Sequence, residues 1–375
     1  MADESAVAVV TEYKGPVEIR KVPIPALEAG STLMKVEAAT LCGTDAHRWS
    51  GHLTSLGQNS DMPFVHPFDT PFVPGHETCG SVAAANGEIR DIEGKLLREG
   101  DRVLSAYSHC GHCYYCEVAR QPTLCHKVIG YGYWAPERLL GGCAEYQLVP
   151  SGASLIRVPD HVPSPIAASA ACALRTVVHS FDQLGPLLPH ESVLILGCGP
   201  LGLYALAMAV DKGLSNVLLI GAPAARLGIA SEWGATKTLD LSTCADVQDR
   251  VDWVRSQTGG RGADVVINCA SSQALSEAMR MVRPGGRISQ IGTSGGAPIS
   301  IPTHLLFRNI TVTMPVMAEA RHFYQAIQFV ASRAERFDFS KIISGRFPLE
   351  GTGEALRRMA NLEEVKPLIT PHGVH

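Results

Sequence analysis

Seven cysteines and histidines of this chain fall into two groups whose types and spacing suit metal binding. Cys110, Cys113, Cys116 and Cys125 lie in one short stretch, the first three at strict three-residue intervals. Four thiolates can surround one tetrahedral zinc, and such a site is closed: no position remains for water or substrate, so its role is structural. Zinc there would substitute for a hydrophobic core and hold the loop folded. His109, His112 and His126 lie close by in sequence, and one of them could replace a thiolate, most readily the distant Cys125.

Cys42, His76 and Cys172 form the second group, spread widely along the chain. Singly, each has an ordinary explanation, since cysteine is often just buried and a lone histidine is more often packed or solvated than a ligand. Together they make the three protein ligands that leave a fourth zinc position open for chemistry. A ligating imidazole needs a carboxylate to fix its orientation, and Asp45 or Glu77 could supply it. Thr44 and His47 offer a hydroxyl and an imidazole for moving a proton between an alcohol and solvent.

A third feature is G-C-G-P-L-G, in which Gly197, Gly199 and Gly202 fit G-x-G-x-x-G. The apolar run Val193, Leu194, Ile195, Leu196 before it reads as a buried strand, and residues 201–210 after it read as a helix. In that context the first glycine permits a tight turn, the second lets backbone approach a pyrophosphate, and the third lets helix and strand pack closely. NAD is usually held by an acid about 20 residues further on, at the end of the second strand. Here Gly221 stands at that place, and Arg226 follows in the next helix. Absence of the acid removes repulsion against a 2′-phosphate, and an arginine can pair with one, so NADP is favoured over NAD. The alternative is that Arg226 only packs on the adenosine or is a solvated helix charge.

Those groups need elements to position them. The chain has 375 residues, enough for two domains with separate cores. Residues 5–160 carry short apolar or β-branched runs at 6–10, 33–38, 102–105 and 146–149, bounded by glycine, proline or charge, and predict a mostly β domain. From about Pro165 strands and helices alternate: strand 216–220, helix 224–233, strand 264–268, helix 274–281, strand 287–291. That rhythm predicts a parallel, doubly wound sheet. The alternation fades after Ile310, where a helix at 321–333 and a strand at 342–348 remain. Residues 50–71, rich in Gly, Pro, Ser, Asn and Asp, read as a long loop.

Charged residues make up 18% and the formal net charge is −4, which excludes a nucleic-acid footprint. The first ten residues lack the basic and apolar regions of a signal peptide, and no stretch has the apolar length of a membrane span. Eleven cysteines then read as thiols and metal ligands, and a cytoplasmic protein is expected.

With these motifs in this order, the chain resembles the zinc-dependent medium-chain alcohol dehydrogenases over nearly its whole length. The matching segments are residues 41–47 (L-C-G-T-D-A-H), 72–82 (F-V-P-G-H-E-T-C-G-S-V), 100–103 (G-D-R-V), 141–146 (G-G-C-A-E-Y) and 284–292 (P-G-G-R-I-S-Q-I-G). The resemblance implies an α/β protein: a GroES-like, mostly β catalytic domain over 1–172 and 310–375, and a Rossmann domain over 173–309. It implies that Cys42, His76 and Cys172 ligate a catalytic zinc, with Glu77 behind the metal and Asp45 orienting His76. Thr44 and His47 would form the proton relay. Thr176 and Leu201 would contact the nicotinamide, and the backbone around Gly292 its carboxamide end. A homodimer or homotetramer would be usual. Polyol-type relatives carry glutamate where this chain has Cys172, which likens it to the alcohol dehydrogenases proper.

Two features depart from the family. Eight residues separate Cys116 from Cys125, one more than usual, and the Cys42–His76 separation is long, with the extra length in 50–71. Trp49, His52, Phe64, His66 and Phe68 lie in or beside that insertion, which either borders the substrate cleft or is a surface addition. Two competing functions remain: a zinc-free quinone or enoyl reductase on the same fold, opposed by the three ligands, and a non-catalytic dinucleotide-sensing protein, opposed by the retained Thr44, Asp45, His47 and Glu77.

Overall fold

A computed structural model describes residues 3–52, 70–293 and 298–373. Its strands in chain order are β1 (Glu4–Val10), β2 (Val17–Pro23), β3 (Thr32–Thr40), β4 (Glu77–Ala85), β5 (Arg102–Ser108), β6 (Tyr146–Val149), β7 (Ala153–Arg157), β8 (Ser192–Leu196), β9 (Asn216–Gly221), β10 (Lys237–Asp240), β11 (Ala263–Asn268), β12 (Val282–Gln290), β13 (Thr311–Thr313), β14 (Arg346–Pro348) and β15 (Leu368–Thr370). The chain divides into two units, one of Met1–Cys172, Glu319–Ala334 and Phe339–His375, the other of Ala173–Ala318 and Glu335–Asp338.

The first unit is mostly β. Strands β1 and β2 pair as an antiparallel hairpin, and a second sheet runs β14-β15-β3-β4-β5-β7, with β6 also paired to β3. Its core joins Val36 and Ala39 of β3, Ile369 of β15, and Leu41, Phe72, Cys143 and Leu356. The C-terminal segment is therefore structural here: Leu368 and Ile369 pair with Thr40 and Ala39, just before Cys42.

The second unit is one sheet in the order β10-β9-β8-β11-β12-β13, with its neighbouring strands parallel. Every residue of β8 is buried, as a strand covered on both faces requires, which is why its sequence is a continuous apolar run and not an alternation. The strand order reverses between β8 and β11, the switch point at which such sheets bind ligands.

Several sequence expectations shift. The predicted return to the first domain at 310 comes later, at Glu319, because Thr311–Thr313 adds to β12 as a parallel edge strand. Strand β12 begins at Val282, earlier than 287. Strand β10 and the helix Val247–Ser256 were not expected. The tetrapeptide K-T-L-D of β10 is too short and polar to stand out, yet it pairs with Leu218–Gly221. The strand expected over 342–348 narrows to Arg346–Pro348. Phe64, His66 and Phe68 of the insertion lie outside the described residues.

Candidate active site and metal centres

Cys42 sits at the N-cap of the short helix Gly43–Trp49, where its sulfur accepts from the Thr44 amide at 3.3 Å. Asp45, at the third helical position, reciprocates: its Oδ2 accepts from the Cys42 amide at 3.0 Å. This reciprocal cap fixes the thiol and the carboxylate together. The other oxygen, Oδ1, accepts from the Gly75 amide at 3.1 Å and lies 3.1 Å from Nδ1 of His76. Asp45 is fully buried, so one carboxylate locks both ligating segments. Of the two carboxylates considered for orienting His76, the structure places Asp45 there.

His76 turns its other nitrogen, Nε2, to within 3.1 Å of the Cys42 sulfur. Burial opposes charge on this ring, but Asp45 and Cys42 outweigh it and push its pKa up to about 10. The Cys42 thiol is held well below its ordinary value, chiefly by a hydrogen bond from Cys172, with burial opposing and His76 assisting. Cys172 lies in a π-helical turn, Ala170–Leu174, between the helices Ser164–Ser169 and Arg175–Leu184. Such wide turns are frequent at functional sites. Ligand atoms of Cys42, His76, Glu77 and Cys172 all lie within 4.8 Å of one another. Two soft sulfurs, one of them favoured as thiolate, and one imidazole nitrogen are a donor set that fits zinc.

Glu77 carries a partner that sequence reasoning did not find. Lys366 Nζ lies 2.6 Å from its Oε1 and 2.5 Å from its Oε2. The Thr40 hydroxyl also donates to Glu77. Burial alone would lower the Lys366 pKa, but Glu77, Cys42 and Cys172 outweigh it and hold the ammonium above its ordinary value. On Glu77 burial pushes the carboxyl up, against the pull of Lys366. Lys366 is the only lysine among the fully buried residues described, which marks it as a counter-ion, but K-P-L-I-T in the sequence carries no such signal.

The four remaining cysteines converge. Sγ of Cys113 and Cys116 are 3.6 Å apart, those of Cys110 and Cys125 are 3.5 Å apart, and all four lie within 4.8 Å. Cys125 follows directly on the short turn Pro122–Leu124, its amide donating to the Pro122 carbonyl at 3.0 Å. The His112 amide leads in pulling the Cys110 thiol down to about 6. None of the three nearby histidines joins this cluster: His112 and His126 are exposed, and His126 rests against Tyr115 with ring centroids 5.4 Å apart. Four converging thiols without a disulfide fit one closed zinc site.

In the second unit the glycine turn follows β8 directly. Gly197 has φ +99°, open only to glycine at low cost. Nothing lies within 4 Å of a Cβ built on Gly199, which leaves the approach free for a pyrophosphate. A Cβ on Gly202 would collide with the Gly197 carbonyl, and one on Gly292 with that of Ala270. Gly199 caps the helix Pro200–Asp211, with Pro200 at its first position. Gly221 ends β9 as expected, and a Cβ there would stand 2.7 Å from the Cys198 sulfur. The glycine is thus a packing requirement as well as a missing acid. Arg226 is half-buried in the first turn of the helix Ala224–Glu232 and has no carboxylate partner among the described residues. Thr176 and Leu201 are both partly accessible on their helices.

Thr44 and His47 share the helix that Cys42 caps. Both are partly accessible, and the His47 ring centroid is 6.3 Å from that of exposed His52. Burial, then the His52 charge, lower the His47 pKa against the pull of Cys42. Trp49 is turned to the fold instead, its Nε1 donating to the Gly15 carbonyl at 3.1 Å.

Comparison with known proteins shows the family of the chain. The alcohol dehydrogenase GroES-like domain family matches residues 28–160, and the zinc-binding dehydrogenase family matches residues 200–332. A 5-exo-hydroxycamphor dehydrogenase of Pseudomonas putida is 29% identical over 369 residues, 96% of this chain and 98% of its own. An alcohol dehydrogenase of Geobacillus stearothermophilus is 31% identical over 327 residues, 86% of this chain and 88% of its own. A Sinorhizobium meliloti protein solved bound to NADP superposes with a TM-score of 0.83 at 28% identity, covering 99% of this chain and 100% of that one. The chain therefore belongs to the zinc-dependent medium-chain alcohol dehydrogenases, oxidoreductases that pass hydride between an alcohol, or its aldehyde or ketone, and a nicotinamide cofactor.

Proposed function

We propose that this enzyme is zinc-dependent, prefers NADP(H), and interconverts a small alcohol and its carbonyl compound. The observation that carries the reading is the convergence of Cys42, His76 and Cys172 with Asp45 behind the imidazole. The metal supplies Lewis acidity and the nicotinamide supplies the hydride acceptor or donor. The protein's own residues do the rest. Asp45 accepts a hydrogen bond from the Nδ1–H of His76 and so leaves Nε2 as the ligating atom. Glu77 stands beside the ligands, restrained by Lys366 and Thr40. The Thr44 hydroxyl would accept the substrate's hydroxyl proton while releasing its own toward His47, which passes a proton on to solvent; the lowered pKa of His47 keeps the ring neutral and able to accept.

On the dinucleotide side, Gly197, Gly199 and Gly202 cradle the pyrophosphate, and Thr176, Leu201 and Gly292 attend the nicotinamide. The preference for NADP rests on Gly221 and on Arg226, which has no carboxylate partner among the described residues, and the NADP-bound relative supports it. We read the four-cysteine group as a structural zinc site, and the catalytic domain as residues 1–172 with the C-terminal segments. A homodimer or homotetramer fits the edge strand β13, beside which Phe307 is 85% and Met314 57% exposed. Thiolate metal sites suit a reducing compartment, in line with a cytoplasmic enzyme; among the described residues no helix is long and apolar enough to cross a membrane.

The test is zinc analysis together with reduction of NADP and NAD by a panel of primary, secondary and cyclic alcohols. Zinc-bearing protein that reduces NADP faster than NAD with at least one class meets the expectation. Zinc-free protein, or a preference for NAD, overturns the corresponding part.

A further inference from the structure

Four arginines of the second unit, Arg255, Arg261, Arg283 and Arg308, line one surface cavity of about 460 Å³ together with Gly260 and Pro284. Their places in the fold explain the gathering. Arg255 is in the last turn of the helix Val247–Ser256, Arg261 precedes β11, Arg283 is the second residue of β12, and Arg308 precedes β13. In a parallel sheet the starts of β11, β12 and β13 share one end. The glycine turn leaves the far end of β8, so this cavity and the dinucleotide turn lie at opposite ends of the same sheet.

The charges are unbalanced. Arg283 pairs with Asp264 at 2.6 Å, and Arg255 approaches Asp252 at 3.7 Å. Arg261 and Arg308 have no carboxylate partner among the described residues. Two acids thus face four guanidinium groups in a chain whose formal net charge is −4. Arg308 is tied instead to the carbonyls of Met279 and Val282, the second at 2.7 Å. Burial, and the nearby Arg255 charge, depress its pKa.

We propose that this cavity is a second anion site, which binds the phosphate group of a small ligand. Arg308 and Arg283 are already held, by backbone carbonyls and by Asp264, so little freedom is lost when they meet an anion. Arg255 and Arg261 are exposed and can close on it. Guanidinium forks match phosphate oxygens in pairs, which a chloride ion cannot exploit. Four like charges offset by two acids repel, and a bound phosphate would relieve that repulsion. The phosphate could belong to a nucleotide or to free pyrophosphate.

The experiment compares wild type with Arg255→Gln/Arg261→Gln, both substitutions exposed and remote from the metal and glycine residues. Inorganic pyrophosphate, and separately ATP, are titrated calorimetrically at constant ionic strength with NADP in excess to fill the dinucleotide site. Saturable binding by wild type, weakened about tenfold or more in the double variant, is expected from the loss of charge-assisted bonds. NADP affinity, measured in the same proteins, should not change, so a failure of the NADP reading is seen separately. Tighter binding of ATP than of pyrophosphate identifies a nucleotide as the source, and equal binding identifies free phosphate. Equal affinities in the two proteins, or heats that chloride reproduces, overturn the proposal.

Discussion

The Lys366 ammonium and the Glu77 carboxylate form a buried ion pair, 2.5 Å at its closest, with side chains 1% and 0% exposed. It stands beside the candidate zinc ligands and ties the C-terminal segment to the start of β4. Removing one member leaves an uncompensated buried charge, which costs about 3–5 kcal/mol. Lys366→Met should therefore lower unfolding free energy by roughly that amount in urea titration. Glu77→Gln/Lys366→Met should recover part of it. A single variant as stable as wild type would show that the pair contributes nothing to the fold.

Two ligand groups predict two zinc ions per chain. Cys113→Ser should lose one and chiefly lower thermal stability, since a closed thiolate site contributes folding free energy. Cys42→Ser should lose the other, abolish turnover and leave dinucleotide binding largely intact. Elemental analysis with a thermal melt and a dinucleotide titration separates these results. Near-normal turnover by Cys42→Ser would refute its catalytic assignment.

His47 should matter through proton transfer alone. Its pKa lies below the ordinary value, chiefly through burial, so the ring stays neutral and able to accept a proton further into the acid range. His47→Gln should slow alcohol oxidation most below neutral pH, where solvent base is scarce, by about 10²-fold or less. Imidazole buffer should restore part of the rate. A pH profile matching wild type throughout would remove His47 from the relay.

Cofactor preference should depend on Arg226 and resist simple redesign at Gly221. Arg226→Ala should lower kcat/KM for NADP by about tenfold to a hundredfold, the worth of a charge-assisted pair, and affect NAD less. Equal loss with both cofactors would make Arg226 only an adenosine contact. Gly221→Ala adds one methyl against the Cys198 sulfur, 2.7 Å away, and should destabilise the protein by about 1–3 kcal/mol. Adding an aspartate there to favour NAD meets the same obstacle. Unchanged stability in Gly221→Ala would show that the turn yields easily.

Residue type and local spacing determined much of this protein. The glycine turn was legible because a φ of +99° at Gly197 and the close approach at Gly202 admit almost nothing else. The cap joining Cys42 to Asp45 spans three residues, and β8 announced itself by four consecutive large apolar residues. The four cysteines were grouped by proximity along the chain, but that Cys125 and not a histidine converges on the other three is visible only in the fold. What tertiary structure decided are the relations between distant segments. Lys366 and Glu77 are 289 residues apart, and only the pairing of β15 with β3 brings the C-terminal segment to the site. The interlock of Cys198 with Gly221 and the gathering of four arginines depend likewise on strand order. The reason is that caps and turns are selected within a few residues by local sterics and hydrogen bonds, whereas a buried ion pair or a shared cavity exists only after the sheets have assembled around it.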